Sequence, residues 1–428
     1  MRRHNTLLER QDAHPVVSPA VSTLDDQVSL FVHLVPRLKA LFDQPIEVQE
    51  RKGYAHTLRE ICQQPATWLV TARDIVHYRS RLAALFADAG VGDRRGTVVL
   101  TGSGSSLYAA ACVGPALRAA LQVPVDVVAG GDLLTHPRSA FPPTGPSVMV
   151  SFARSGNSPE SSAVVEWLTA HKPDCRHLAL TCCCSGQLAT ICALDPRGLV
   201  VVLDDRTCDQ SLVMTSSFTN MVVAARFLGL LTDPSGYQAV VQSLSHAAES
   251  LLARYGQALV AIAEGSFKSA VFLGSGCRHG GAREASLKLM EMSNGRVMSF
   301  AETYLGLRHG PMTAIHEDTL VVCFLSSDPI VRAYEVDLVR ELNRKRLGSR
   351  KVLVGEAVPD DLALNGDLVV DCPGMAALGD DNVPVLDVLV AQLLAFFHCL
   401  HLGLRPDSPS ADGVINRVVE PFAIYRQT

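Results

Sequence analysis

Two Gly-Ser-Gly turns, Gly102-Ser103-Gly104 and Gly274-Ser275-Gly276, constrain this chain more than any other feature. Each ends a short β-rich apolar run and leads into a helix pattern. Each also opens a cycle of five such runs, at 97–100, 125–129, 147–152, 177–182 and 199–203, then at 270–274, 296–300, 319–325, 351–355 and 367–371. Longer segments suited to helices separate the runs. Regular alternation of this kind requires parallel sheets covered on both faces. The repeated order predicts an internal duplication, with two similar α/β domains joined near 230–250, where Asp233-Pro234-Ser235-Gly236 supplies a break. The competing reading is chance similarity between two generic strand-to-helix turns.

The segment before the first cycle differs. Residues 1–22 are polar and without periodicity, which predicts loose order. Residues 24–42 place Val28, Phe31, Val32, Val35, Leu38 and Leu41 near helical spacing, with Pro36 expected to kink the helix. Such a helix packs on the main body or on a partner subunit. A second helix is expected from Thr57, with Leu58, Ile61, Trp68 and Leu69 as its apolar positions and Gln63-Gln64-Pro65 interrupting it. The resulting division is an N-terminal extension at 1–54, two domains at 55–235 and 236–405, and a tail at 406–428 expected to close over the ligand site.

Composition narrows the function. A net charge of -5 and a pI near 6.3 argue against a nucleic-acid partner. No apolar run reads as long enough to span a bilayer, and no signal peptide opens the chain, so a cytoplasmic protein is expected. The 12 cysteines are irregularly spaced, which fits free thiols. Cys182-Cys183-Cys184 on a strand alternate faces and cannot converge on a metal. Neither glycine turn is a dinucleotide fingerprint, and a Walker lysine is absent.

The run at 147–152 leads into Ser151-Phe152-Ala153-Arg154-Ser155-Gly156-Asn157-Ser158-Pro159-Glu160. Ser158 suits an N-cap and Pro159 the first helical position. Free backbone N–H groups and the helix dipole make such a place an anion site, and Ser155 and Ser158 add hydroxyl donors. A plain helix cap after a polar turn would use the same residues. In doubly wound sheets ligands bind at C-terminal strand ends where the strand order reverses. If the two turns are neighbours there, Ser105, Ser106, Ser155 and Ser158 can wrap one phosphate.

The second half carries acid–base candidates. Glu284, Lys288 and Glu291 share one face of a helix over 281–293. An exposed Glu–Lys ladder has that spacing, but Leu287, Leu289, Met290 and Met292 make the helix apolar almost all round, and buried charges must be paired or used. Further on, Arg308-His309-Gly310-Pro311 holds a histidine in a turn, either as an ordinary loop residue or as an acid or base.

These four elements in order resemble tandem sugar isomerase (SIS) domains. Within that group the chain is similar to the tagatose-6-phosphate ketose/aldose isomerase family, whose better-supported activity is galactosamine-6-phosphate deaminase/isomerase. The similarity extends to Met214-Thr215-Ser216-Ser217-Phe218-Thr219, to Ala391–Phe396, and to the tail at 406–409 and 416–419. The resemblance implies two five-stranded doubly wound domains and a sugar-phosphate substrate. Ser105, Ser106, Arg154, Ser155, Asn157, Ser158, Thr215 and Ser216 become candidate binding residues. Similarity to the isomerase half of glucosamine-6-phosphate synthase implies Glu291 as the base, His309 as the ring-opening group, and Lys288 and Glu284 in support. In that relative the histidine comes from the neighbouring subunit, which implies a dimer with shared sites. That relative's C-terminal catalytic lysine has no evident match; Asn416-Arg417 fall close.

The implied reaction converts galactosamine-6-phosphate to tagatose-6-phosphate and ammonia, with no cofactor, metal or membrane. A plain ketose/aldose isomerase or a non-catalytic sugar-phosphate regulator remains an alternative. The chain departs from the family pattern at Glu302-Thr303-Tyr304 (usually Asp-Ser-Pro), at Met312 (usually Lys) and at Gly130-Gly131-Asp132 (usually Thr-Thr-Asp).

Overall fold

The computed structural model describes residues 31–142 and 144–425. Residues 1–30, including the expected helical position Val28, lie outside it. Ten strands form two parallel five-stranded sheets. The first contains β1 (Thr97–Gly102), β2 (Val125–Ala129), β3 (Ser147–Ala153), β4 (Cys175–Thr181) and β5 (Gly198–Val202), in the order β2-β1-β3-β4-β5. The second contains β6 (Ser269–Leu273), β7 (Met298–Glu302), β8 (Thr319–Phe324), β9 (Arg350–Gly355) and β10 (Leu368–Asp371), in the order β7-β6-β8-β9-β10. The two orders are the same, as the duplication requires. The backbone repeats as well: Gly104 has φ 55° and ψ -127°, and Gly276 has φ 54° and ψ -128°. Only glycine enters that region at low cost, so both turns need it.

The sequence placed every strand, with ends shifted by a residue or two. The largest shift is at β7, which begins at Met298 rather than 296 because Asn294 and Gly295, at φ 50° and 71°, still turn the chain.

Three helical regions differ from expectation. Pro36 opens helix α1 (Pro36–Phe42) instead of kinking one, in keeping with its missing N–H. Phe31, Val32, Val35 and Leu38 are buried, and Val35 packs against Gly256 of the chain's own long helix. Helices α2 (Ala55–Cys62) and α3 (Gln64–Val76) meet at Gln63 as read, with Trp68 buried; Leu69, expected in the core, is 39% exposed on the outer side. The expected break at 233–236 is a helix start. After α4 (Ser105–Leu121), α5 (Pro159–His171) and α6 (Ser216–Arg226), the chain enters α7 (Pro234–Ala263), whose N-cap Asp233 accepts from Gly236 N at 2.9 Å.

Helix α7 packs on α3. It also packs on the last long helix of the chain, which follows α8 (Cys277–Met292) and α9 (Pro329–Lys345) and is α10 (Pro384–His401). Helix α10 meets the length and composition of a membrane span, contrary to the sequence reading, yet 89% of it is buried against α7, α8 and neighbouring helices. It is the central core helix, apolar all round because protein surrounds it. One continuous apolar cluster runs from Phe31 through both sheets to Cys399.

All 12 cysteines are free. Among the described residues no group of His, Cys, Asp and Glu could hold a metal ion.

One core residue sets an acid limit. His177, on β4, is fully buried, and neither ring nitrogen has a hydrogen-bond partner among the described residues. Burial pushes its pKa from 6.5 down to about 4. The folded state therefore binds its proton more weakly than the unfolded chain does. The stability cost is absent above pH 6.5 and grows as the pH falls toward 4, reaching roughly 3 kcal/mol. Chemical unfolding of wild type and His177→Leu across that range should show the wild type losing stability relative to the variant on acidification.

Candidate functional site

The strand order reverses between β1 and β3, so their C-terminal turns are neighbours. The β1 turn needs its glycines: a Cβ on Gly102 would stand 2.7 Å from the Ser106 backbone. From it α4 begins with Ser105 and Ser106, both buried at the helix N-terminus. The β3 turn ends at Ser158, the N-cap of α5, with Pro159 at the first position. The Ser158 side chain makes no capping bond, so its hydroxyl remains available. Gly156, at φ 66°, lets the loop pack on Leu188, whose N–H donates to Gly156 O at 2.9 Å.

Asn157 does not line the cavity. Its Oδ1 accepts from Gln187 N at 3.1 Å and staples the loop to the segment after β4. Ser103, Ser105, Ser106, Ser155 and Ser158 line one cavity of about 570 Å³ with two helix N-termini aimed at it. Hydroxyls and helix N-termini that converge on one space are the chemistry an anion cradle needs.

Helix α8 forms the far wall. Lys288 Nζ stands 2.5 Å from Glu291, 3.3 Å from Glu284 and 3.0 Å from Ser105 Oγ. Burial works to lower the Lys288 pKa, but the two carboxylates outweigh it and hold the pKa above its usual value. Burial pushes Glu284 up to about 8, Lys288 opposing and Glu291 adding to the shift. Glu284 and Lys288 are out of solvent; only Glu291, 21% exposed, faces the cavity. The exposed-ladder reading of this triad is therefore wrong for this chain.

His309 is exposed in the turn after β7 and is not among the residues lining this cavity. The unusual Glu302-Thr303-Tyr304 stretch builds that turn. Thr303 Oγ1 accepts from Gly306 N at 3.0 Å, and the buried Tyr304 hydroxyl donates to Phe324 O at 3.0 Å.

Three further expected contacts are corrected. Thr215 and Ser216 are fully buried and do not reach the cavity. The backbone N–H groups of Thr215, Ser216 and Ser217 and the Thr215 and Ser217 hydroxyls donate to the buried Asp209 carboxylate at 2.5–3.2 Å, and Gln63 Nε2 donates to Ser216 Oγ at 2.9 Å. Arg154 lines the cavity, but its guanidinium donates to the carbonyls of Ser211, Leu212 and Arg417 at 3.1, 3.0 and 2.5 Å. It clamps the tail instead of standing free for phosphate.

The tail at 406–428 was expected to close over the site. Residues 413–417, Val419 and Glu420 line the cavity. Arg417 donates to Asp209 O at 2.6 and 2.8 Å. Asp407 accepts from Thr57 N and Thr57 Oγ1 at 2.8 and 2.7 Å, so the tail caps α2 from a distance. Glu60 of the same helix accepts from Gln210 N at 2.5 Å and from the Ser211 hydroxyl, fixing the loop beside Leu212 and Met214. Ser103 and Ser161 were missed. Ser161 was legible as one turn beyond Ser158 at i, i+3.

In the second half Glu335 of α9 fills the corresponding crevice, accepting from Ser275 Oγ at 2.7 Å and Ser326 N at 2.6 Å.

A duplicated, parallel α/β fold with one anion cradle facing a buried Glu–Lys–Glu triad defines a protein of tandem SIS architecture. No family model matches the chain. The D-galactosamine-6-phosphate deaminase AgaS of Shewanella sp. (strain ANA-3) is 33% identical over 380 residues, covering 87% of this chain and 92% of that protein. The Escherichia coli protein of the same name is 31% identical over 374 residues, covering 86% and 95%. The solved structure of tagatose-6-phosphate ketose/aldose isomerase from Escherichia coli matches with a TM-score of 0.77 at 30% identity, over 84% of this chain and 95% of that one. The C-terminal domain of glucosamine-fructose-6-phosphate aminotransferase from Francisella tularensis shares the fold, with a TM-score of 0.69 at 18% identity, over 82% and 98%. The chain belongs to the D-galactosamine-6-phosphate deaminase family.

The triad gives a prediction about stability. Lys288→Met leaves Glu284 buried beside Glu291 without a cation, at a cost of roughly 3–5 kcal/mol above the Glu284 pKa of about 8, where the carboxylate is charged. The loss should shrink as the pH falls through about 8 and Glu284 takes a proton, and Lys288→Met with Glu284→Gln should recover part of it. Urea unfolding at two pH values checks both.

Proposed function

We propose that this chain is an amino-sugar phosphate deaminase/isomerase that converts galactosamine-6-phosphate to tagatose-6-phosphate and ammonia. The observation that carries the reading is one cavity joining the serine cradle to Glu291. The cradle takes the 6-phosphate through Ser105, Ser106, Ser155 and Ser158. That grip, remote from the reacting carbons, orients the open-chain sugar. Glu291 removes the proton from carbon 2, giving an enamine-like enol, and returns it at carbon 1. The product is a ketimine at carbon 2, which water hydrolyses to the ketone and ammonia. Lys288 holds the Glu291 carboxylate at 2.5 Å, and Glu284 holds Lys288 at 3.3 Å.

His309 stands away from its own chain's cavity, which supports a homodimer in which each copy lends this histidine to the other. Free cysteines throughout support work in the cytoplasm.

An ammonia-release assay over amino sugar phosphates and plain sugar phosphates tests the reaction. Ammonia and tagatose-6-phosphate are expected from galactosamine-6-phosphate, and Glu291→Gln should lower kcat by ~10²-fold or more. Ketose from a plain aldose phosphate, with no ammonia from any amino sugar, would replace the deaminase with an isomerase.

Subunit sharing has its own test. Mixing inactive Glu291→Gln and inactive His309→Ala proteins under exchange should restore about a quarter of wild-type activity, because half the dimers are mixed and one site in each is intact. No recovery would mean that each chain completes its own site.

A further inference from the structure

Four charged side chains line the cavity: Arg154, Glu291, Arg417 and Glu420. Three are engaged by charged or carbonyl partners of the chain itself. Arg154 donates to three carbonyls, Arg417 donates to Asp209 O, and Glu291 is paired with Lys288. Glu420 makes no ion pair among the described residues. Its Oε1 accepts from a neutral amide, Asn416 Nδ2, at 3.2 Å.

Glu420 stands exposed at the cavity rim, a carboxylate that the described residues give no ion-pair partner. Serine hydroxyls and two helix N-termini make the opposite wall electropositive, and a second anion raises no affinity for a plain sugar phosphate. The carboxylate makes sense if the ligand carries a cation as well as a phosphate. Glu291 is a poor partner for that cation, because it must remain free to take a proton and Lys288 beside it repels positive charge.

The tail holds Glu420 in place for the task. Arg154 grips the Arg417 carbonyl, Arg417 grips Asp209 O, and Asn416 reaches Glu420 four residues along the irregular tail.

We propose that Glu420, steadied by Asn416, binds the protonated amino group of the substrate and selects amino sugar phosphates over plain ones. This rests on the proposed sugar-phosphate site and adds the group that reads the amine. The contact is a charge-assisted hydrogen bond near solvent, so its effect is moderate.

Calorimetry in the Glu291→Gln background, where turnover is blocked, compares galactosamine-6-phosphate with galactose-6-phosphate. Adding Glu420→Gln should weaken the amino sugar phosphate about tenfold and leave the plain sugar phosphate within about twofold. Asn416→Ala, which frees Glu420 without removing it, should give a smaller loss of the same selective kind. Equal losses for both ligands would mean that these residues only close the tail, and would overturn the proposal. Unchanged affinities, or no binding of either sugar, would overturn it too. The ammonia assay on wild type is independent. An amine-selective effect of Glu420 without ammonia release would leave this inference standing and remove the deaminase.

Discussion

The site depends on how closely α4 and α8 cross. At Gly280 a Cβ would stand 2.5 Å from Cys112 N and 2.8 Å from Ala111 C, so the two backbones touch. No other residue type allows that approach. The crossing brings the two halves of the duplication together through the first helix of each. It sets the N-terminus of α4 against the C-terminal half of α8, which is why Lys288 can reach Ser105 at 3.0 Å. The serine-lined turns come from one sheet and the Glu284–Lys288–Glu291 triad from a helix of the other. Without the glycine contact they would belong to separate surfaces.

Charge burial then makes the arrangement specific. Lys288 is out of solvent between two carboxylates, and Arg278, fully buried, holds Asp387 at 2.6 Å. Such pairs add little net stability over apolar packing, but breaking one partner is expensive. They tolerate few alternative arrangements of the helices that carry them. Asp209 does the same for the loop ahead of α6, collecting donors from Thr215, Ser216 and Ser217. Through Arg417 and Arg154 that loop is tied to the tail, so the tail's wall of the cavity is anchored in the core.

The two halves of the duplication differ in what fills the crevice beside the glycine turn. Both Gly-Ser-Gly turns keep the same backbone, and both sheets keep the same strand order. What differs is the occupant. In the first half the crevice is open to a ligand. In the second, Glu335 supplies the anion from within, and burial pushes its pKa up to about 7. A carboxylate accepting from a serine hydroxyl and a backbone N–H does there what phosphate is proposed to do in the first half.

The sequence by itself determined the ten strands, the duplication, the serines at the strand ends and the shared face of Glu284, Lys288 and Glu291. These follow from local periodicity and from glycine and proline chemistry, which act over a few residues. Tertiary structure alone decided the rest. Thr215 and Ser216 precede a helix as Ser105 and Ser106 open one, and nothing local says that their donors turn to Asp209 and not to a ligand. Arg154 looked free because the carbonyls it satisfies come from positions 57, 58 and 263 residues away in the chain. An apolar run such as Pro384–His401 cannot announce whether protein or lipid surrounds it; here two α/β halves closed around it. Contacts between distant segments are decided by packing, and only the folded chain has it.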